Sequence, residues 1–219
     1  MPVANPDTYL ADLCAEMRVH WPENRLVNVV CHGHSVPAGY FATPFVDSFN
    51  AYPHLLHRAL KGKFPYGVIN VIVTAIGGEH SVSGAERFVA DVLSHQPRVV
   101  TIDYGLNDRG IGLEAAEAAW RFMIEQALAQ ECRVILLTPT PDSTQRISGD
   151  PEGEPLRQHA AQIRRLAGEY AVGLTDSLAA FERVVAAGGY LTNLLSWVNH
   201  PNREGHDLVA NELARWFPA

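Results

Sequence analysis

The sequence predicts an α/β fold, a three-layer sandwich in which a five-stranded parallel sheet carries helices on both faces. Three observations lead there. Four short apolar runs are continuous and β-branched rather than alternating, the signature of strands buried on both faces. Between them lie stretches with apolar residues three and four apart, as on amphipathic helices. The chain has 219 residues, 47% of them hydrophobic, with no internal repeat and no low-complexity linker. That suits one domain, 1–219, with a full core. It is short for an eight-fold α/β barrel, which needs about 250 residues.

Taken in order, a first helix around Leu10, Leu13 and Met17 precedes a strand at 26–31 (LVNVVC). Further strands are predicted at 68–74 (VINVIVT), 98–102 (RVVTI) and 133–138 (RVILLT), with a weaker one at 171–174. Ala85, Phe88, Val89, Val92 and Leu93 form one helical face. Ala116, Ala119, Trp120, Met123, Ala127 and Leu128 form a second, and Leu156, Ala160, Ile163 and Ala167 a third. Asp176 is placed to cap a helix after the fifth strand. The last helix is predicted from about Pro201, with proline in its first turn, through Val209, Leu213 and Trp216. Strands alternating with helices require crossover connections, hence parallel pairing. Reactive groups in such sheets sit on loops beyond the carboxyl ends of the strands.

Charge excludes several partners. Seventeen Lys+Arg against 24 Asp+Glu give −7, and no basic run or stripe appears. The reading is therefore no nucleic acid and no anionic membrane surface. No apolar run approaches the ~20 residues of a membrane span. The first residues, MPVANPDTYLADLC, lack the basic and apolar regions of a signal peptide. With three scattered cysteines and no CxxC, this predicts a cytoplasmic protein with reduced thiols, although a chain trimmed of a leader reads the same.

Four strand-end segments carry candidate chemistry. After the first strand comes GHSVPAGY, with Ser35 either a nucleophile or a helix cap. After the second comes AIGGEHS, where Gly77-Gly78 lets the backbone approach a ligand, or is a plain turn before a helix capped by Ser81. After the third comes DYGLND, where Asn107 offers a side-chain donor or a turn signal. Near the C-terminus comes NHPNREGH, where His200 is a general base or a structural histidine.

In this order the four segments resemble the SGNH hydrolases, the GDSL esterase/lipase family. GHSVPAGY resembles the family's GDS-x-x-x-G block, Gly78 the glycine of the second block, GLND the G-x-N-D block, and HPNREGH the last block. The resemblance spans Gly33 to His206. It implies Ser35 as nucleophile and His200 as general base. The N–H groups of Ser35 and Gly78 and the Asn107 side chain would form the oxyanion hole. No cofactor and no metal is implied.

Two departures stand out. The aspartate of GDS is His34 here. The family's acid, three residues before the histidine, is Trp197, and no carboxylate lies between Arg183 and His200. A backbone carbonyl or the Ser196 hydroxyl could orient the imidazole instead, or a distant carboxylate such as Glu204, or the site could be a dyad. His34 also completes His32-Gly33-His34, a pair that opens metal sites in barrel hydrolases, with Asp103 or His80 as further ligands. The His54-x-x-His57 pair, lacking a third ligand, reads as a half-buried helical face.

Tyr40, Phe41 and Trp197 lie in loops that could line a substrate pocket. Together with His34, Glu79, His80 and Arg109, Tyr40 and Trp197 are the candidate substrate contacts, while Asp108 is expected to brace its loop. The polar stretch 142–154 is expected to form a mobile rim. The reading is a serine esterase for small acyl esters, acetyl first among them, on an alcohol such as a carbohydrate, with a small-molecule ester as substrate and the oligomeric state left open. No apolar insertion resembles a lipase lid. The alternatives are a ligand-binding relic of the fold and a metal hydrolase using the HxH pair.

Overall fold

The computed structural model describes residues 2–143 and 154–218. Five parallel strands form one sheet in the order β2-β1-β3-β4-β5. They are β1 (Leu26–Gly33), β2 (Val68–Val73), β3 (Val99–Asp103), β4 (Arg133–Leu137) and β5 (Gly173–Thr175). Each falls within about two residues of its expected position. The helices are α1 (Ala11–Glu16), α2 (Ser35–Ala38), α3 (Tyr52–Lys63), α4 (Ser81–Asp91), α5 (Leu113–Ala129), α6 (Glu154–Tyr170), α7 (Ser177–Ala186) and α8 (Arg203–Ala214).

Strand alternation builds the two cores. Val27, Val29 and Cys31 of β1 face α1, α3, α7 and α8, packing with Leu56, Phe64, Phe181 and Phe217. Val30, Val100, Ile102 and Leu136 face the opposite layer, against Phe88 of α4, Trp120 and Met123 of α5, and Leu166 of α6. Both faces are thus covered, which is why the strands read as unbroken apolar runs. Connections leave β1 toward β2 on one side, and β3 returns on the other side. The crevice at this reversal, beyond the ends of β1 and β3, is where open α/β sheets place ligands.

Several local expectations need correction. Val89 and Leu128 are exposed, at the edges of their helical stripes. The cap of α4 is His80, whose Nδ1 accepts from Ser83 N–H at 3.3 Å, and Ser81 is the first helical residue. Pro201 precedes α8 and pairs with Leu195 in an isolated bridge, and Asn202 is the cap, accepting from Gly205 N–H at 3.0 Å. Of the polar stretch 142–154, Asp142 is buried and paired with Arg109, and 144–153 lie outside the described residues. The three cysteines are buried and unpaired. No helix among the described residues is long and apolar enough to cross a membrane.

Candidate active site

The site begins where β1 ends. Gly33 pairs with Asp103 of β3, and a Cβ at Gly33 would stand 2.4 Å from the Asp103 carbonyl oxygen. Only glycine permits that approach, which sets His34 and Ser35 directly over the end of β3. Ser35 opens the one-turn helix α2, so its N–H belongs to the group that has no intrahelical acceptor. Gly39 ends the turn at φ +94°, and the chain then folds into a small loop closed by pairing of Tyr40 with Val46. Phe41 N–H donates to Phe45 O at 3.0 Å and Asp47 N–H to Gly39 O at 2.8 Å. This loop turns the Phe41 carbonyl inward.

His200 arrives from the other end of the chain. The Leu195–Pro201 bridge closes its loop, and Ser196 clamps it through N–H to His200 O at 2.9 Å and Oγ to Pro201 O at 3.0 Å. Gly205 lets α8 pack under this loop, since a Cβ there would meet Leu194 O at 2.3 Å. The His200 Nε2 stands 2.9 Å from Ser35 Oγ, and its Nδ1 stands 2.7 Å from Phe41 O. A carbonyl only accepts, so the proton sits on Nδ1, and Nε2 is left as the acceptor for the Ser35 hydroxyl. Burial lowers the His200 pKa, with neighbouring His34 adding to it and the Phe41 contact opposing it. The imidazole is therefore neutral at neutral pH. The ring is oriented by a backbone carbonyl. Ser196 spends its hydroxyl on backbone carbonyls, and Glu204 is exposed on α8.

Two loops flank this pair. Gly78 turns the loop after β2 at φ +83°, and its N–H has no partner among the described residues. Asn107 Nδ2 donates to Glu79 O at 2.8 Å, which fixes the amide and leaves its second N–H available. Asp108, fully buried, ties these loops together by accepting from Ser81 N–H and Trp120 Nε1–H, each at 2.7 Å. Burial raises its pKa, opposed by those hydrogen bonds.

The remaining candidates divide sharply. His34 is fully buried behind Ser35. The Glu79 carboxylate receives Arg87 through two nitrogens and the Tyr104 hydroxyl. His80 caps α4, and Arg109 binds Leu106 O and Asp142. Tyr40 is half-buried, its ring 6.1 Å from that of His200 and pressed against Gly77. Trp197 is exposed beside the site. Only these last two present side chains not engaged in such polar contacts.

The HxH pair is spent internally. His32 Nδ1 meets Thr74 Oγ1 at 2.9 Å, and its Nε2 meets Tyr104 Oη at 3.0 Å and Gly84 O at 3.1 Å. Burial drives its pKa down to about 4. Among the described residues no three His, Cys, Asp or Glu side chains converge to hold a metal. His57 Nε2 bonds Ile69 O at 2.9 Å.

Sequence reasoning could not have singled out Phe41 as the residue that orients His200, because every residue carries a carbonyl. It also left unused the contact of Asp103 with His34.

Comparison with known proteins agrees with this architecture. An acetylxylan esterase from Geobacillus stearothermophilus superposes with a TM-score of 0.76 at 23% identity, covering 87% of this chain and 94% of that one. A variant of it, described as an acetyl-xylooligosaccharide esterase, gives 0.76 and 23% over 91% and 96%. A G-D-S-L family protein from Desulfitobacterium hafniense DCB-2 gives 0.69 and 26% over 87% and 99%. No curated protein sequence matches the chain significantly. Residues 31–208 match the GDSL-like lipase/acylhydrolase family model, and the chain therefore belongs to that family of carboxylic ester hydrolases.

Proposed function

We propose that the protein is a serine esterase that removes small acyl groups, acetyl above all, from an alcohol such as a carbohydrate hydroxyl, through an acyl-enzyme. The observation that carries this is the 2.9 Å contact between His200 Nε2 and Ser35 Oγ, with Nδ1–H held by Phe41 O. Ser35 Oγ attacks the ester carbonyl while Nε2 takes its proton. The oxyanion is received by the N–H groups of Ser35 and Gly78 and by the free Asn107 N–H. Collapse expels the alcohol, which takes the proton from Nε2. Water then attacks the acyl-Ser35 carbonyl, giving its proton to Nε2, and the acid leaves as Oγ is reprotonated. No step needs a cofactor.

Two further points support a small acyl group. Tyr40 closes over Gly77, so tightly that a Cβ there would lie 2.7 Å from the ring. This narrows the space beside the oxyanion loop. Of the structural relatives named above, the Geobacillus enzyme and its variant are described as acetylxylan and acetyl-xylooligosaccharide esterases. Catalytic mutants of that enzyme replace a serine, a histidine and an aspartate three positions before the histidine. Trp197 at that aspartate's place favours a ligand-binding relic as second reading, and the Phe41 carbonyl argues against it. A panel of p-nitrophenyl acetate, butyrate and octanoate, with acetate release from acetylated xylo-oligosaccharides, tests the proposal. Turnover falling steeply beyond acetate is expected, and binding of the acetylated sugar without turnover would favour the relic.

A further inference from the structure

Behind Ser35 lies a second histidine, and this one faces a carboxylate. His34 is fully buried, and its Nδ1 accepts the Val36 N–H at 3.2 Å while standing 3.4 Å from Ser35 Oγ. Its Nε2 makes no hydrogen bond among the described residues, and the polar group it faces is Asp103 Oδ1 at 3.4 Å, close enough for the carboxylate charge to act on it. Asp103 is itself buried, and its Oδ2 receives the Tyr52 hydroxyl at 3.2 Å. Tyr52 N–H in turn donates to His206 Nδ1 at 3.2 Å, and the His206 ring packs 5.0 Å from that of Phe41. The elements that hold both imidazoles are thus joined through the core.

We propose that Asp103 is a positioning residue for the nucleophile, acting by selecting the tautomer of His34. This rests on Ser35 being the nucleophile. An imidazole has one ring proton to place when neutral. With the Asp103 carboxylate beside Nε2, the proton stays on Nε2, and Nδ1 is a bare acceptor. Bare Nδ1 caps the first turn of α2 through Val36 and cannot donate to Ser35 Oγ. The Ser35 lone pairs then remain free for attack, and its proton goes to His200. In the opposite tautomer Nδ1–H would oppose Val36 N–H, donor against donor, and would donate into Oγ. That would loosen the turn and weaken the nucleophile. Control of tautomer by a neighbouring carboxylate is a general property of histidine sites. Here it falls on the neighbour of the nucleophile, while the general base has no carboxylate but the Phe41 carbonyl, with the Thr43 hydroxyl 3.5 Å from the same nitrogen.

The test is a double-mutant cycle between Asp103→Asn and His34→Asn, since asparagine can cap the turn but has no tautomer to select. Rates of fluorophosphonate labelling at Ser35 and kcat and KM for p-nitrophenyl acetate are read together. A tautomer error in the base of a serine protease costs about 10⁴ in kcat. The effect on His34 is indirect, so Asp103→Asn alone is expected to lower labelling and kcat by roughly tenfold to a hundredfold, with KM nearly unchanged. In the His34→Asn background the same change should cost less than about twofold. An equal loss in both backgrounds, or none in either, overturns the proposal. The wild-type ring-nitrogen shifts of His34 give an independent check that needs no variant. The Nε2–H tautomer is expected, and Nδ1–H would overturn the proposal. No labelling of the wild type would instead remove Ser35 as nucleophile, and this role of Asp103 with it.

Discussion

The Phe41 carbonyl oxygen lies 2.7 Å from His200 Nδ1, in the position where a triad would put a carboxylate. A carbonyl fixes tautomer and orientation as a carboxylate does. It brings a dipole rather than a full charge, so it stabilises the imidazolium less.

A pH prediction follows from that difference. Burial holds the His200 pKa below the ordinary 6.5, and only the neutral ring can accept the Ser35 proton. The acid limb of kcat/KM should therefore lie below pH 6.5, with full activity above it. Trp197→Asp restores the family's spacing, yet Nδ1 is already bonded, so the limb should stay within about half a unit. A clear upward move would show that the carboxylate had displaced Phe41.

Asn107→Ala removes one donor of the proposed oxyanion hole. Loss of such a donor typically costs about 10²–10³ in kcat, with KM little changed. Steady-state kinetics on p-nitrophenyl acetate would read this. A rise in KM alone would mean that Asn107 holds the ground state instead.

Asp108 is expected to matter for stability more than for chemistry. Asp108→Ala leaves the buried Ser81 N–H and Trp120 Nε1–H without acceptors. Each unsatisfied donor costs about 1–3 kcal/mol, so urea unfolding should show a loss of roughly 2–6 kcal/mol. Tethering of the loops that carry Gly78 and Asn107 would loosen as well.

Acid should destabilise the fold through its buried histidines. Burial lowers His32 to about 4 and His206 to about 3. Between those values and 6.5 the unfolded chain binds protons that the folded chain refuses. Stability therefore falls as pH drops below about 6.5 and levels off near the folded values. Urea midpoints measured from pH 7 to pH 4 should decline, and His32→Gln should reduce the slope if its polar contacts survive.

Much of this fold was legible because both faces of the sheet are buried. The runs in β1, β2, β3 and β4 left little choice, and the periodicities of α4, α5 and α6 followed. Helix α3 was less visible: its stripe of Leu55, Leu56 and Leu60 is short and interrupted by His57 and Arg58, and only the His54–His57 spacing hinted at it. Pro201 misled because proline suits both a first turn and the residue before a cap. At the site, Ser35, Gly78, Asn107 and His200 could be proposed from their strand-end positions and the resemblance of the four segments, in order, to the family's blocks. Phe41 could not, since its contribution is a backbone oxygen presented by loop geometry. Asp103 was visible as an acid at a strand end and a candidate metal ligand, and its contact with His34 came from the register that sets it against Gly33.

The central claim is a working Ser35–His200 pair oriented by a backbone carbonyl. Intact mass after fluorophosphonate treatment tests it without knowledge of the substrate, comparing wild type, Ser35→Ala and His200→Ala. One adduct on the wild type and none on either variant is the predicted result. An unmodified wild type, or an adduct that survives in Ser35→Ala, would contradict the account.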